Sequence, residues 1–148
     1  MGALKHHPDQ MCDTGALNTL LRCELSAVET YDEAMRSFED QFVLADLEKI
    51  REDHSRAVTL LQSRVTQFGG QQIESPGPWS AFTATSDMSR TLGLAALKQG
   101  EEHAINEYEE SLRNEGVNPE CKQLIRAELL PSEKAHVAKL DRLMGGMS

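Results

Sequence analysis

The chain has 148 residues, 39% of them hydrophobic, a formal charge of −9 and three cysteines, which bounds it to one domain large enough for a real core. The negative charge, with no basic run to offset it, excludes nucleic acid as a partner, because affinity for phosphate backbones comes largely from cationic side chains. No run approaches the roughly 18 apolar residues of a membrane span, the first eight residues lack the apolar stretch of a signal peptide, and the odd, scattered Cys12, Cys23 and Cys121 suit a reducing compartment; a cytoplasmic protein without a membrane partner is expected.

In chain order, residues 1–12 read as a flexible polar tail in which His6 and His7 are solvated. A first helix is predicted at about 14–38, capped by Asp13 or Thr14, with Leu17, Leu20, Glu24, Val28, Tyr31, Met35 and Phe38 inward. After a break at Glu39-Asp40-Gln41, a second helix at about 42–68 carries Leu44, Leu47, Arg51, His54, Val58, Leu61, Val65 and Phe68 in a three-four rhythm. Gly69-Gly70 ends it. A crossover at about 70–87, rich in Ser, Thr, Gly and Pro, could extend about 55 Å, longer than the roughly 39 Å of a 26-residue helix. The second and third helices are therefore expected to run parallel. The third helix, at about 88–114, turns Leu94, Leu97, Glu101, Ala104, Tyr108 and Ser111 inward, and Asn118-Pro119-Glu120 opens a fourth at about 119–144. Pro131 lies inside that helix and crowds the carbonyl of Ala127, so a bend is expected just before Glu133.

Each apolar stripe is interrupted by polar residues: Glu24 in the first helix, Arg51 and His54 in the second, Glu101 in the third, Glu133 and His136 in the fourth. Glu-x-x-His on an inward face is the unit with which carboxylate bundles hold metal. The sequence is also internally repeated. Residues 21–35 align without gaps on residues 98–112, matching Glu24, Ala27, Tyr31 and Glu33 with Glu101, Ala104, Tyr108 and Glu110, and His54 aligns with His136. The chain is thus two related hairpins, and a pseudo-two-fold arrangement brings their polar residues into one central layer.

On Glu24-Leu25-Ser26-Ala27-Val28-Glu29-Thr30-Tyr31, Glu52-Asp53-His54, Gly100-Glu101-Glu102-His103 with Tyr108, and Leu129-Leu130-Pro131 leading to His136, the chain resembles the ferritin-like superfamily, most closely a group of small uncharacterised bacterial bundles. The resemblance covers about Leu17 to Met144. It implies an all-α four-helix bundle, 13–146, of two antiparallel hairpins, and a metal-binding core. By position it carries the metal-ligand role to Glu24, His54, Glu101, Glu133 and His136. Arg51 stands where the superfamily places a second bridging glutamate, which opposes a full di-iron centre.

Two readings stay open. In one, the layer holds a single divalent metal, iron, manganese or zinc, with a redox or metal-handling role. In the other, Arg51 replaces the metal, pairing with Glu24 or Glu133, and the protein is a metal-free structural or interaction bundle. Tyr31 and Tyr108 are expected to be core residues bonded to carboxylates, Asp53 to orient an imidazole or serve as a substitute ligand, and His103 to lie off the stripe. No nucleophile-base pair or glycine-rich phosphate loop points to an enzyme class. Seams open at the bundle surface suit a homodimer.

Overall fold

The computed structural model describes residues 12–73 and 90–145; the rest of the expected tail and most of the crossover lie outside the described residues. Asp13 caps α1 (Thr14–Met35), its carboxylate accepting the Ala16 N–H at 2.9 Å. Asp40 caps α2 (Gln41–Gln67) through the N–H groups of Phe42 and Val43. The third column is α3 (Arg90–Arg113). The fourth is continuous but composite: α4 (Pro119–Leu124), capped by Asn118, a π-helical turn (Ile125–Leu129) and α5 (Leu130–Gly145). Among the described residues no helix is long and apolar enough to cross a membrane.

The core falls into two apolar clusters, and their membership fixes the topology. One joins the start of α1 (Leu17, Leu20, Leu21), the end of α2 (Leu61, Val65), the end of α3 (Tyr108) and α4 with the π turn (Cys121, Leu124, Ile125). The other joins the end of α1 (Ala27, Tyr31, Ala34), the start of α2 (Val43, Leu47, Ile50), the start of α3 (Leu94, Leu97) and the end of α5 (Leu140). So α2 and α3 run parallel, as the length of the crossover led one to expect, and the fold is two antiparallel hairpins in a four-helix bundle.

The inward stripes differ from the expected ones by one residue in two helices. In α2 the buried face is Val43, Leu47, Ile50, His54, Ala57, Leu61 and Val65, with Leu44, Arg51 and Val58 on its flank. In α1, Ala27 and Ala34 are buried while Val28 and Met35 are only partly so. Both choices satisfy a three-four rhythm, since a 3.6-residue period leaves i+3 and i+4 near one face. Alanine takes the inward place at 27, 34 and 57, and the larger Val28, Met35 and Val58 lie on the shoulders. Phe38 is buried too, but beyond the end of α1.

Pro131 does perturb the fourth column, through register and not by a break. Lacking an N–H, it cannot pair with the carbonyl of Ala127; the preceding turn widens so that the Leu130 N–H reaches the carbonyl of Ile125, five residues back. The π turn inserts one residue ahead of the proline and restores the helix in time for Glu133.

The hairpin ends pack tightly. Gly69 takes φ 79°, reversing the chain after α2, and a Cβ on Gly70 would stand 2.6 Å from Cβ of Thr14 at the start of α1. Gly70→Ala is therefore expected to cost about 1–3 kcal/mol through overpacking, a fall of roughly 3–10 °C in melting temperature for a domain of this size. Thr14→Gly in the same chain should recover part of that loss in a thermal melt; full stability of Gly70→Ala alone would contradict the close approach.

Candidate metal centre

Between the two apolar clusters lies a polar layer that each of the four columns enters. α1 contributes Glu24, α2 His54, α3 Glu101, and α5 Glu133 and His136; all five are at most 4% exposed. Each sits where the apolar stripe of its helix would place a leucine, so packing of the neighbouring leucines fixes its direction. Ligand atoms of His54, Glu101, Glu133 and His136 lie within 4.8 Å of one another.

His54 is the hub. Its Nδ1 is 2.5 Å from Oε1 of Glu24 and 3.5 Å from Oε1 of Glu133, and its Nε2 is 2.7 Å from Oε2 of Glu101. An ionised carboxylate only accepts, so both ring nitrogens donate and the ring is an imidazolium. Burial alone would lower its pKa, yet the charges and hydrogen bonds of Glu101 and Glu24 raise it to about 10. The complementary effect appears on its partners. Burial would raise both, but the His54 charge and hydrogen bonds bring Glu24 below the usual carboxylate range and Glu101 well below it.

Glu133 behaves in the opposite way. Burial, then the negative charges of Glu24 and Glu101, push its pKa well above the usual carboxylate range, which favours its protonated form. Its Oε2 is buried with no hydrogen-bond partner among the described residues. His136 accompanies it one turn on, with Nδ1 3.1 Å from Oε1 of Glu101 and Nε2 2.9 Å from Oδ2 of Asp53. Asp53 thus meets the imidazole of the fourth column, His136. Partial burial would raise its pKa, but the hydrogen bonds to His136 and Lys49 bring it below the usual value.

The tyrosines are exchanged between hairpins. Tyr31 of the first donates to Oε2 of Glu101 in the second at 2.6 Å, and Tyr108 of the second donates to Oε2 of Glu24 in the first at 2.5 Å. Burial and the adjacent carboxylates push both phenols well above their usual pKa, so both remain hydrogen-bond donors.

Arg51 corrects the sequence reading. It is absent from the layer and pairs with neither Glu24 nor Glu133: its half-exposed guanidinium forks onto Asp32 of α1, Nε to Oδ1 and Nη2 to Oδ2 at 3.3 Å. The flank position of residue 51 follows from the stripe running through Ile50. The cation inside the carboxylate layer is His54. His103 is exposed and lies near Glu107.

A cavity of about 320 Å³ reaches the layer between α2 and the fourth column, lined by Asp53, Arg56, Leu60, Glu128, Ser132, Glu133 and His136 among others. The π turn contributes Glu128 and Leu129 to its wall, and Arg56 bridges to Glu128 at 2.7 Å. Sequence reading missed Arg56, Glu128 and Ser132. The one available signal was Pro131, which marks where the fourth helix must open.

The pKa of His54 sets a pH dependence. Its folded value of about 10 exceeds the unfolded 6.5, so its stabilising contribution is complete below 6.5 and is lost as pH rises through about 10. Metal-free protein is expected to lose on the order of a few kcal/mol between pH 6.5 and 10 by denaturant unfolding, and His54→Gln should flatten that slope. A wild-type slope equal to that of the variant would mean that His54 is not the charged hub.

Three comparisons bear on this geometry. No curated protein matches the chain. A crystal structure of a ferritin-like, diiron-carboxylate protein from Bacillus anthracis strain Ames is similar, with a TM-score of 0.75 and 21% sequence identity, covering 88% of this chain and 94% of that one. At that identity the likeness establishes the fold, which is ferritin-like. A family model matches residues 14–114, and the chain accordingly belongs to the family described as domain of unknown function DUF2383.

Proposed function

We propose that this protein binds one divalent cation in the layer formed by His54, Glu101, Glu133 and His136, with Glu24 beside them, and that it serves metal handling or redox chemistry. The observation that carries the reading is Glu133. A buried carboxylate oxygen without a hydrogen-bond partner, facing other nitrogen and oxygen donors within 4.8 Å, is an incomplete site that a cation would complete. The residues present fit such an ion: two imidazoles and two or three carboxylates suit iron, manganese or zinc.

Bound iron or manganese would supply one-electron chemistry, and bound zinc would act as a Lewis acid. The protein groups have separable tasks. Asp53 on Nε2 of His136 orients the ring and leaves Nδ1 aimed at the layer, the usual task of an outer carboxylate on a ligating histidine. Tyr31 and Tyr108 fix one oxygen each of Glu101 and Glu24. The cavity beside Asp53 and His136 offers a path from solvent to the ion. The protein known as diiron-carboxylate that shares the fold supports a metal role, while the flank position of Arg51 leaves this chain with one Glu-x-x-His pair on α5 and no counterpart on α2, which supports a single ion.

One observation favours a second reading. Both nitrogens of His54 are bonded to carboxylates, so the layer is already neutralised by an internal cation, and the protein could serve as a structural or interaction bundle without metal. Glu133→Gln separates the two, because glutamine imitates a protonated glutamate but is a poor ligand. On the metal reading, chelator-treated wild type binds one Mn(II), Fe(II) or Zn(II) per chain in a calorimetric titration. Glu133→Gln keeps its metal-free melting temperature and loses affinity by about 100-fold, the upper end of what losing even an outer partner costs. Absence of saturable binding in the wild type would leave the metal-free reading.

A further inference from the structure

At the end of the bundle remote from α5, two of the three cysteines meet. Sγ of Cys12 lies 3.9 Å from Sγ of Cys121, across a sequence separation of 109 residues. Cys12 precedes the Asp13 cap of α1, outside any helix, and Cys121 is in the first turn of α4. The approach is held by bonds on both sides. The Asp13 N–H donates to the Gly116 carbonyl at 2.6 Å, Nδ2 of Asn114 donates to Oδ2 of Asp13 at 3.1 Å, and the Asn118 N–H donates to Sγ of Cys12 at 3.4 Å. The remaining gap to the roughly 2.05 Å of an S–S bond can close by side-chain rotation and a small shift of the non-helical Cys12.

We propose that Cys12 and Cys121 form a reversible intramolecular disulfide on exposure to a hydroperoxide, clamping the start of the first hairpin to the start of the fourth helix. The roles follow from the surroundings. Cys12 is half-buried, its sulfur accepting the Asn118 N–H, so it is the sulfur of the pair that a peroxide from solvent reaches first. Cys121 is buried, and burial together with Cys12 pushes its thiol up to about 12, so it stays protonated and acts second. Cys12 thiolate attacks one peroxide oxygen, the O–O bond breaks, and hydroxide leaves, giving a sulfenic acid. The Cys121 sulfur then attacks the Cys12 sulfur, the S–O bond breaks, and the departing hydroxide takes the Cys121 proton as water. Two thiols and one hydrogen peroxide give one disulfide and two waters, with two electrons passing from sulfur to peroxide. Cys23, whose thiol is also pushed up to about 12 by burial and by Glu107 and Glu24, has no such partner and serves as an internal control.

The test uses the reduced full-length chain, treated with one to ten equivalents of hydrogen peroxide, alkylated, and mapped by mass spectrometry without reduction. The expected product is a monomer with a Cys12–Cys121 cross-linked peptide and one alkylated thiol, Cys23. Its melting temperature should rise by about 10 °C through closure of a loop of this length and return on adding dithiothreitol. Cys12→Ser should show no peroxide-dependent shift, and Cys121→Ala, which keeps that position apolar, should carry Cys12 on to sulfinic acid. Over-oxidation of Cys12 in the wild type with Cys121 still free, linkage through Cys23, or disulfide-bonded dimers would each overturn the proposal. These readouts do not depend on metal in the central layer.

Discussion

Glu24, Glu101 and Glu133 share one buried cross-section of a helical bundle, and three ionised carboxylates there without counter-charge would cost far more than the net stability of a domain this size. The bundle meets that constraint by distributing positive charge and protons among them. His54 stands between Glu24 and Glu101 as a doubly donating imidazolium, Tyr108 donates to the other oxygen of Glu24, Tyr31 donates to the Glu101 oxygen that His54 also meets, and burial beside these carboxylates favours a proton on Glu133. Every helix supplies part of the solution, so the layer ties the hairpins together as much as the leucines above and below it do. It also explains why the same residues suit a cation: a site that must be neutralised by protons is one that a metal can neutralise instead.

The exchange of tyrosines is the structural signature of the internal repeat. Glu24 and Tyr31 recur as Glu101 and Tyr108, and each tyrosine reaches the glutamate of the other hairpin. The symmetry fails on the second and fourth columns. His54 is enclosed by carboxylates, whereas His136 has one face on Glu101 and the other on Asp53 at the cavity. Pro131 and the π turn belong to the fourth column alone, and Glu128 and Leu129 of that turn form part of the wall through which the layer is reached. The repeat therefore supplies the frame of the site, and the departure from it supplies its access.

Much of this was legible in the sequence because polar residues on apolar stripes announce themselves. Glu24, His54, Glu101, Glu133 and His136 interrupt rows of leucines, and the repeat indicated that they share a layer. The parallel course of α2 and α3 followed from the reach of the crossover. What failed was a choice between adjacent residues: Arg51 or Ile50, Val28 or Ala27. A three-four pattern cannot resolve that choice, because both candidates lie within one helical turn of the same face; which is buried depends on interhelical distance, a property of the packed bundle. Arg51 then found Asp32, a residue that reads as ordinary solubility surface, and the internal cation turned out to be His54. The S···S approach of Cys12 and Cys121 was equally hidden, since it depends on how the loop after α3 meets the residue before α1.

The central claim is that protons on His54 and Glu133 stand where a divalent cation would supply the same charge. Its most direct test is the number of protons released when Zn(II) or Mn(II) binds to metal-free protein near pH 7.5, obtained from calorimetric titrations in buffers of different ionisation enthalpy. About two protons per ion are expected, since both groups must deprotonate to act as ligands. Tight binding with release near zero would contradict the account, because the ion would then be held somewhere other than this layer.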